Sequence, residues 1–365
     1  MKICHLTSVH KWNDVRIFEK ECVSLKKAGF DVSLIAVNCQ SGIFEGVNVI
    51  SVSSDAKSRL GRMTKTVKAV YQAALKVDAE IYHFHDPELL LVGKKLQRKY
   101  GKKVIYDSHE DLPRQVLDKL WIPAMFRKII SKRIEKFENR IAAKLSGIIA
   151  ATPHIQHRFM ASNLNTENIN NFPILEKMSI DVKWEIRKNE VCYIGGIFNS
   201  RGVGELVDAM NDVNAVLNLA GNYSPLELRD TLMSKKGWEN VREYGFVGRN
   251  EIMEILSRSK IGMVTLHPTQ AYLESLPIKM FEYMAAGIPV IASNFPLWRS
   301  IIDKYKCGIC VDPQNVEKIS ETINYLLSND AIASEMGKNG QKAANEFYSW
   351  TTEANKLVEF YTKLK

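Results

Sequence analysis

The chain has 365 residues, 45% of them apolar and 25% charged, the balance of a soluble globular protein long enough for two domains of ordinary size. That excludes a disordered chain, a collagen-like chain and a small disulfide-stapled scaffold. The net charge of +9 is uneven: residues 1–180 hold 29 Lys and Arg against 18 Asp and Glu, and residues 181–365 hold 21 against 23. A basic first half beside a nearly neutral second half points to a partner with negative charge.

Short β-branched runs alternate with longer helical patterns along the whole chain. Strands are expected near residues 2–7, 32–36, 47–52, 81–85, 104–107 and 147–151, then near 191–194, 216–220, 241–246, 261–266, 289–292 and 308–311. Two sets of six strands, mostly followed by helices, predict two doubly wound α/β domains with parallel sheets, facing each other across a cleft. The patterning is weakest over 161–190, rich in Asn and charge and broken at Pro173, which places the linker there. No apolar run reaches the roughly eighteen residues a spanning helix needs. Met1–Leu6 lacks the charged lead and long apolar stretch of a secretory signal, so a cytoplasmic location is expected. The six cysteines are scattered. Cys307 and Cys310 have C-x-x-C spacing without a second pair or a thioredoxin-like context, so they read as small buried side chains of a strand.

Residues just after strands are the ones to inspect, because ligands bind outside the carboxyl ends of such sheets. After the first strand, Ser8-Val-His10-Lys-Trp-Asn-Asp14-Val-Arg16 offers Asp14 as a helix N-cap. His10 and Arg16 fit the cleft floor, with a structural ion pair as the alternative for Arg16. His83-Phe-His85 ends another strand. Two histidines two apart share a face and could begin a metal site, but no third ligand suggests itself and no metal is assigned. Asp107-Ser108-His109-Glu110 places His109 just past a strand, where it can donate to a sugar hydroxyl or act as an acid or base. Pro113 stands where a zinc peptidase would have its second histidine, which excludes that class.

From Pro123 to Leu145 an amphipathic pattern carries Lys128, Lys132, Lys136, Arg140 and Lys144 at steps of four. Phe126, Ile130, Ile134, Phe137 and Ile141 form its apolar side. Lys57, Arg59, Arg62, Lys65, Lys68 and Lys76 stud an earlier helical stretch. These stretches suit an anionic membrane surface, with Trp121 and Phe126 dipping into the headgroup layer, and equally suit solvated faces of core helices. Nucleic acid is not expected, since no binding motif accompanies the charge.

In the second half, Tyr193-Ile-Gly195-Gly196-Ile-Phe-Asn-Ser-Arg201-Gly202 ends a strand at a double glycine. Glycine lets backbone approach a ligand closely, and Arg201 could neutralise a diphosphate; a plain strand–helix turn with a surface arginine is the alternative. Neither G-x-G-x-x-G nor a Walker A sequence occurs, which argues against a nicotinamide enzyme or a P-loop nucleotidase. Further on, Glu274-Ser-Leu-Pro277-Ile-Lys279-Met-Phe-Glu282 leads into a helix expected from about Pro277 to Ala286. Its free N–H groups and dipole suit a phosphate, with Lys279 adding charge nearby. Carboxylates at 274 and 282 can accept hydrogen bonds from vicinal hydroxyls; an amphipathic helix with solvated charges is the plainer reading. No Asp-x-Asp pair occurs, so metal bridging of a diphosphate is not expected and no cofactor is assigned.

Taken together, these segments resemble the family 4 retaining glycosyltransferases of GT-B architecture. Glu274 and Glu282, with seven residues between them, match the glutamate pair of that family's donor-side helix. Gly195-Gly196 with Arg201 looks like its diphosphate segment, and His109 falls where it has a histidine near the transferred sugar. The resemblance implies an acceptor-side domain over 1–170, joined by a closing helix at about 349–365, and a donor-binding domain over 185–347. It implies a nucleotide-sugar held by Gly195, Gly196, Arg201, Glu274, Ser275, Leu276, Pro277, Ile278, Lys279 and Glu282. His109, Glu274, Arg201 and Lys279 would take part in catalysis, and His10, Asp14 and Arg16 would lie on the acceptor side. The acceptor would be a glycan or a lipid-linked sugar at the inner face of the plasma membrane. A sugar-nucleotide epimerase, a phosphorylase or a non-catalytic nucleotide-sugar-binding module on the same architecture are the rival readings.

Overall fold

Runs such as Val-Cys-Tyr-Ile and Ile-Gly-Met-Val carry apolar side chains on both strand faces, so they need helices above and below the sheet. The computed structural model describes residues 1–56, 58–119, 121–178 and 182–364, with the backbone alone at Arg59. It divides into two units: Met1–Asn171 with Trp350–Lys365, and Phe172–Ser349.

The first unit is built on β1 (Lys2–Leu6), β2 (Asp31–Val37), β3 (Gly42–Phe44), β4 (Val47–Val52), β5 (Ile81–Phe84), β6 (Lys103–Ser108), β7 (Gly147–Ala150) and β8 (Thr166–Asn168), in the order β3-β4-β2-β1-β5-β6-β7-β8. The second is built on β9 (Glu190–Ile194), β10 (Val216–Ala220), β11 (Val241–Gly245), β12 (Ile261–Val264), β13 (Val290–Ser293) and β14 (Gly308–Val311), in the order β11-β10-β9-β12-β13-β14. The second sheet is wholly parallel.

All twelve expected strands form. Two more were missed, so the first sheet is not a set of six. β3 is antiparallel to β4 through a two-residue turn at Glu45 and Gly46, both with positive φ, the geometry that matches strand twist. β8, Thr-Glu-Asn, is too short and polar to signal itself and is held by parallel pairing to β7. It lies inside the segment expected to be the linker, so the chain stays in the first unit until Asn171.

In each sheet the chain builds outward on one side and then returns to the middle. The strand order therefore reverses between β1 and β5, and again between β9 and β12. At such a switch point the loops leaving neighbouring strands part and open a crevice. The six cysteines are free thiols; burial pushes Cys310 up to about 11 and Cys307 up to about 12, so neither is a ready thiolate.

Candidate functional site

In the second unit the switch point carries the double glycine and the glutamate segment together. β9 ends at Ile194, and Gly195 turns the chain away with φ 131°. The helix Ile278–Ala285 packs its Met280, Phe281 and Met284 into the core. Its Tyr283 hydroxyl accepts from Ile194 N at 2.9 Å, which ties the helix to the end of β9. Gly262 makes room for this: a Cβ there would stand 2.3 Å from the Tyr283 ring. The helix begins one residue later than expected, with Pro277 as its N-cap at ψ 123°.

Two cations converge on Gly195. A side-chain carbon on that residue would lie 3.5 Å from both Arg201 Nη1 and Lys279 Nζ. Arg201 Nη1 donates to Gly196 O at 3.1 Å, and the Tyr193 hydroxyl donates to the same oxygen at 3.0 Å. Lys279 is buried, and among the described residues its Nζ has no hydrogen-bond partner. Burial first, and then the charge on Arg201, hold its pKa well below the usual lysine value. Arg201 Nε is likewise unpartnered. Two cations held side by side with donors to spare form a site for an anion.

The remaining residues of the segment flank this point. Glu274 caps the short helix Gln270–Leu273 and is exposed. Ser275 Oγ donates to Tyr272 O at 2.9 Å, and its carbonyl accepts from Trp298 Nε1 at 2.7 Å. Leu276 and Ile278 are half-buried. Glu282, one turn into the helix, faces Arg249 at 3.6 Å. Tyr193 and Tyr272 were not singled out from the sequence; Tyr193, one residue short of a strand end, was the legible one.

In the first unit, His10 and His109 come together at the ends of β1 and β6, their ring centroids 5.2 Å apart. His10 Nδ1 lies 3.0 Å from Asp86 Oδ1. His109 Nε2 lies 3.0 Å from Asp107 Oδ2 and 3.1 Å from His85 Nδ1. Asp14 is an N-cap, accepting from Arg16 N and Ile17 N at 2.9 and 3.0 Å. Arg16, offered for the cleft floor or as a structural ion-pair partner, points inward. It is buried, with Nη2 at 2.9 Å from Asp107, Nε at 3.1 Å from Asp107 and Glu21, and Nη1 donating to Ile169 O. These are the contacts of a structural ion pair. His83 and His85 are joined by His5 from β1 and by Glu21 from the helical segment Val15–Cys22.

Sequence and fold comparisons now bear on this geometry. A profile for group 1 glycosyl transferases matches residues 176–343, and a profile for glycosyltransferase family 4 matches residues 19–170. Between them the two profiles take in most of the chain, which is of the family 4 glycosyltransferase type. Among curated relatives, the lipopolysaccharide glucosyltransferase WaaG of Escherichia coli is 23% identical over 181 residues, covering 47% of this chain and 46% of that protein. The chain spans about half the length of the curated relatives it matches. Among solved structures, sucrose-phosphate synthase from Thermosynechococcus elongatus aligns over 100% of this chain and 98% of its own, with a TM-score of 0.78 at 16% identity. HepE from Anabaena, in complex with UDP-glucose, aligns over 100% of both chains with a TM-score of 0.74 at 16% identity. The fold is GT-B, with two Rossmann-like parallel-sheet domains.

Proposed function

We propose that this chain transfers a sugar from a UDP- or GDP-linked donor to a glycan or lipid-linked acceptor, with retention at the anomeric carbon and no metal at the diphosphate. The observation that carries this reading is the convergence of Arg201 and Lys279 on Gly195, at the N-terminus of the helix Ile278–Ala285. In that reading the second unit binds the donor. Glycine at 195 and 196 admits the diphosphate, the two cations and the helix tip neutralise it, Glu282 holds the ribose, and Glu274 holds the donor sugar's hydroxyls. His109 hydrogen-bonds the transferred sugar. HepE, crystallised with UDP-glucose, supports a nucleotide-sugar donor.

The chemistry is substitution at the anomeric carbon. The bond from that carbon to the diphosphate oxygen breaks, and a bond to the acceptor oxygen forms on the same face. The acceptor's proton passes to a departing phosphate oxygen. No protein nucleophile is invoked. Charge building on the leaving diphosphate is met by donors already in place, which is the largest catalytic contribution such a site supplies.

Work at the inner face of the plasma membrane, in capsule, O-antigen or exopolysaccharide synthesis, belongs to the same proposal. Among the described residues no helix is long and apolar enough to cross a membrane. The helix Ala124–Ala142 leaves Met125, Phe126 and Ile129 between 47% and 75% exposed beside exposed Lys128, Lys132 and Lys136, with Trp121 just before it 68% exposed. That is the composition of a helix that lies on an anionic surface. The earlier basic stretch supports it less: Arg62 pairs with Glu88 and Lys65 with Asp55, while Lys57 and the Arg59 side chain lie outside what is described.

The test is a panel of UDP- and GDP-sugars, first for thermal stabilisation and then for turnover with acceptor. Product with the donor's anomeric configuration, formed in the presence of chelator, supports the proposal. Isomerised donor without acceptor marks an epimerase, phosphate consumption marks a phosphorylase, and stabilisation without turnover marks a binding module.

A further inference from the structure

A second polar cluster lies at the switch point of the first sheet, deep in the unit, with His85 reaching His109 at its outer edge. His5 on β1 and His83 on β5 are paired across the two parallel strands. His85 follows two residues on and shares the face of His83. Glu21 enters from Val15–Cys22. All four are buried, His85 being 2% exposed and the others 0%. We propose that His5, Glu21, His83 and His85 bind a divalent transition-metal ion of the zinc class as a structural centre of the first unit.

The inner atoms face one another. His5 Nδ1 is 3.0 Å from His85 Nε2 and 3.9 Å from Glu21 Oε2. Glu21 Oε2 is 3.9 Å from His83 Nε2, and the four ligand atoms all lie within 4.8 Å of one another. A separation of 3.9 Å is too long for a hydrogen bond. Ligands on one tetrahedral ion at about 2.0–2.2 Å stand roughly 3.3–3.6 Å apart, so Glu21 would close in by a few tenths of an ångström on binding. Neither Glu21 Oε2 nor His83 Nε2 has a hydrogen-bond partner among the described residues.

The outer ring nitrogens are engaged instead. His83 Nδ1 lies 2.7 Å and His5 Nε2 3.4 Å from the Tyr361 hydroxyl of the C-terminal helix Trp350–Lys363. His85 Nδ1 lies 3.3 Å from Asp107 Oδ2. Outer nitrogens held by oxygen orient imidazoles for a metal; of the inner nitrogens His83 Nε2 has no partner among the described residues, and an ion would replace the hydrogen bond between His5 Nδ1 and His85 Nε2.

Arg16, itself buried, pairs with Glu21 and with Asp107 beside the cluster. Three imidazoles and one carboxylate are the donors that zinc, cobalt(II) and nickel(II) take. Four protein ligands leave no open position, which makes the ion structural rather than catalytic.

The experiment unfolds the full chain in denaturant with chelator and refolds it with zinc(II) or cobalt(II), because the ligands are closed off in the folded unit. Metal per chain is measured after desalting, alongside the cobalt visible spectrum and the unfolding midpoint. The expected result is about one ion per chain, as for a closed four-ligand site, with intense visible absorption of four-coordinate cobalt and a midpoint raised by zinc but not by magnesium. Glu21→Gln and His83→Gln should each abolish stoichiometric retention. Wild-type protein that regains its native circular dichroism yet retains well under one ion, or an ion that both variants retain undiminished, overturns the proposal. The wild-type measurement decides it even if the variants fail to fold.

Discussion

Lys279 Nζ sits 3.5 Å from the centroid of the Tyr193 ring. The ring face holds a buried ammonium that has no hydrogen-bond acceptor among the described residues. Strand and helix thus keep a cation poised for an anion, at a cost to the free protein.

That cost makes a paired prediction. Lys279→Met keeps most of the stem and removes the charge, so the free protein should be stabilised by ~1–3 kcal/mol, the usual penalty of an uncompensated buried polar group. Turnover should fall by about 10²–10³-fold, as when one preorganised donor is lost. Denaturant melts and steady-state assays on the same preparation check it; a destabilised but active variant contradicts it.

The same lysine sets a pH dependence. Burial and then Arg201 lower its folded pKa below the unfolded value of 10.5. Below the folded pKa both states hold the proton and the penalty is complete. Between the folded pKa and 10.5 the unfolded chain binds more protons, so this group's contribution to stability rises with pH. An anion favours the charged amine, so UDP binding should draw in protons within that window. Calorimetry in two buffers of different ionisation enthalpy reads the uptake; identical heats throughout the window would count against a charged Lys279 in the complex.

Glu274 is exposed and caps only a four-residue helix. Glu274→Ala should therefore leave the melting temperature nearly unchanged and lower kcat/KM by about 10²-fold, the worth of a charged hydrogen bond made in the transition state. Full activity in this variant would remove the carboxylate from the donor site.

Gly202 has φ 64°, and a Cβ there would fall 1.8 Å from Thr265 O. Gly202→Ala should destabilise by about 2–4 kcal/mol through left-handed strain and overpacking. It should also weaken nucleotide binding, because Arg201 is the preceding residue. Thermal melts with and without UDP separate the two effects.

For the membrane proposal, the combined variant Lys128→Glu, Lys132→Glu and Lys136→Glu should lower affinity for anionic vesicles by at least about 10²-fold, at roughly 1 kcal/mol per lost basic residue. Flotation at low and high salt measures it. Wild-type protein that stays unbound at low salt would end that part of the reading.

Much of the fold was legible because periodicity survives in a single chain: all twelve expected strands form, within a residue or two. β8 escaped because three polar residues carry no period, and its stability comes from pairing with β7. The donor-side segments were legible as spacing, since glycine at a strand end and a proline before a helix act through local backbone geometry. Their meeting was not. That Lys279 lies over Tyr193, and that it shares Gly195 with Arg201, follows from β9 and β12 being neighbours in the sheet.

The histidines divide in the same way. The sequence by itself determined that His83 and His85 share one strand face, because strand periodicity is a property of the backbone. Only the tertiary structure decided that His5 and Glu21 stand opposite them and that Arg16 points inward to Asp107. Those contacts join residues 16 to 91 positions apart, and such separations are set by which strands and helices pack together, not by any local preference of the chain.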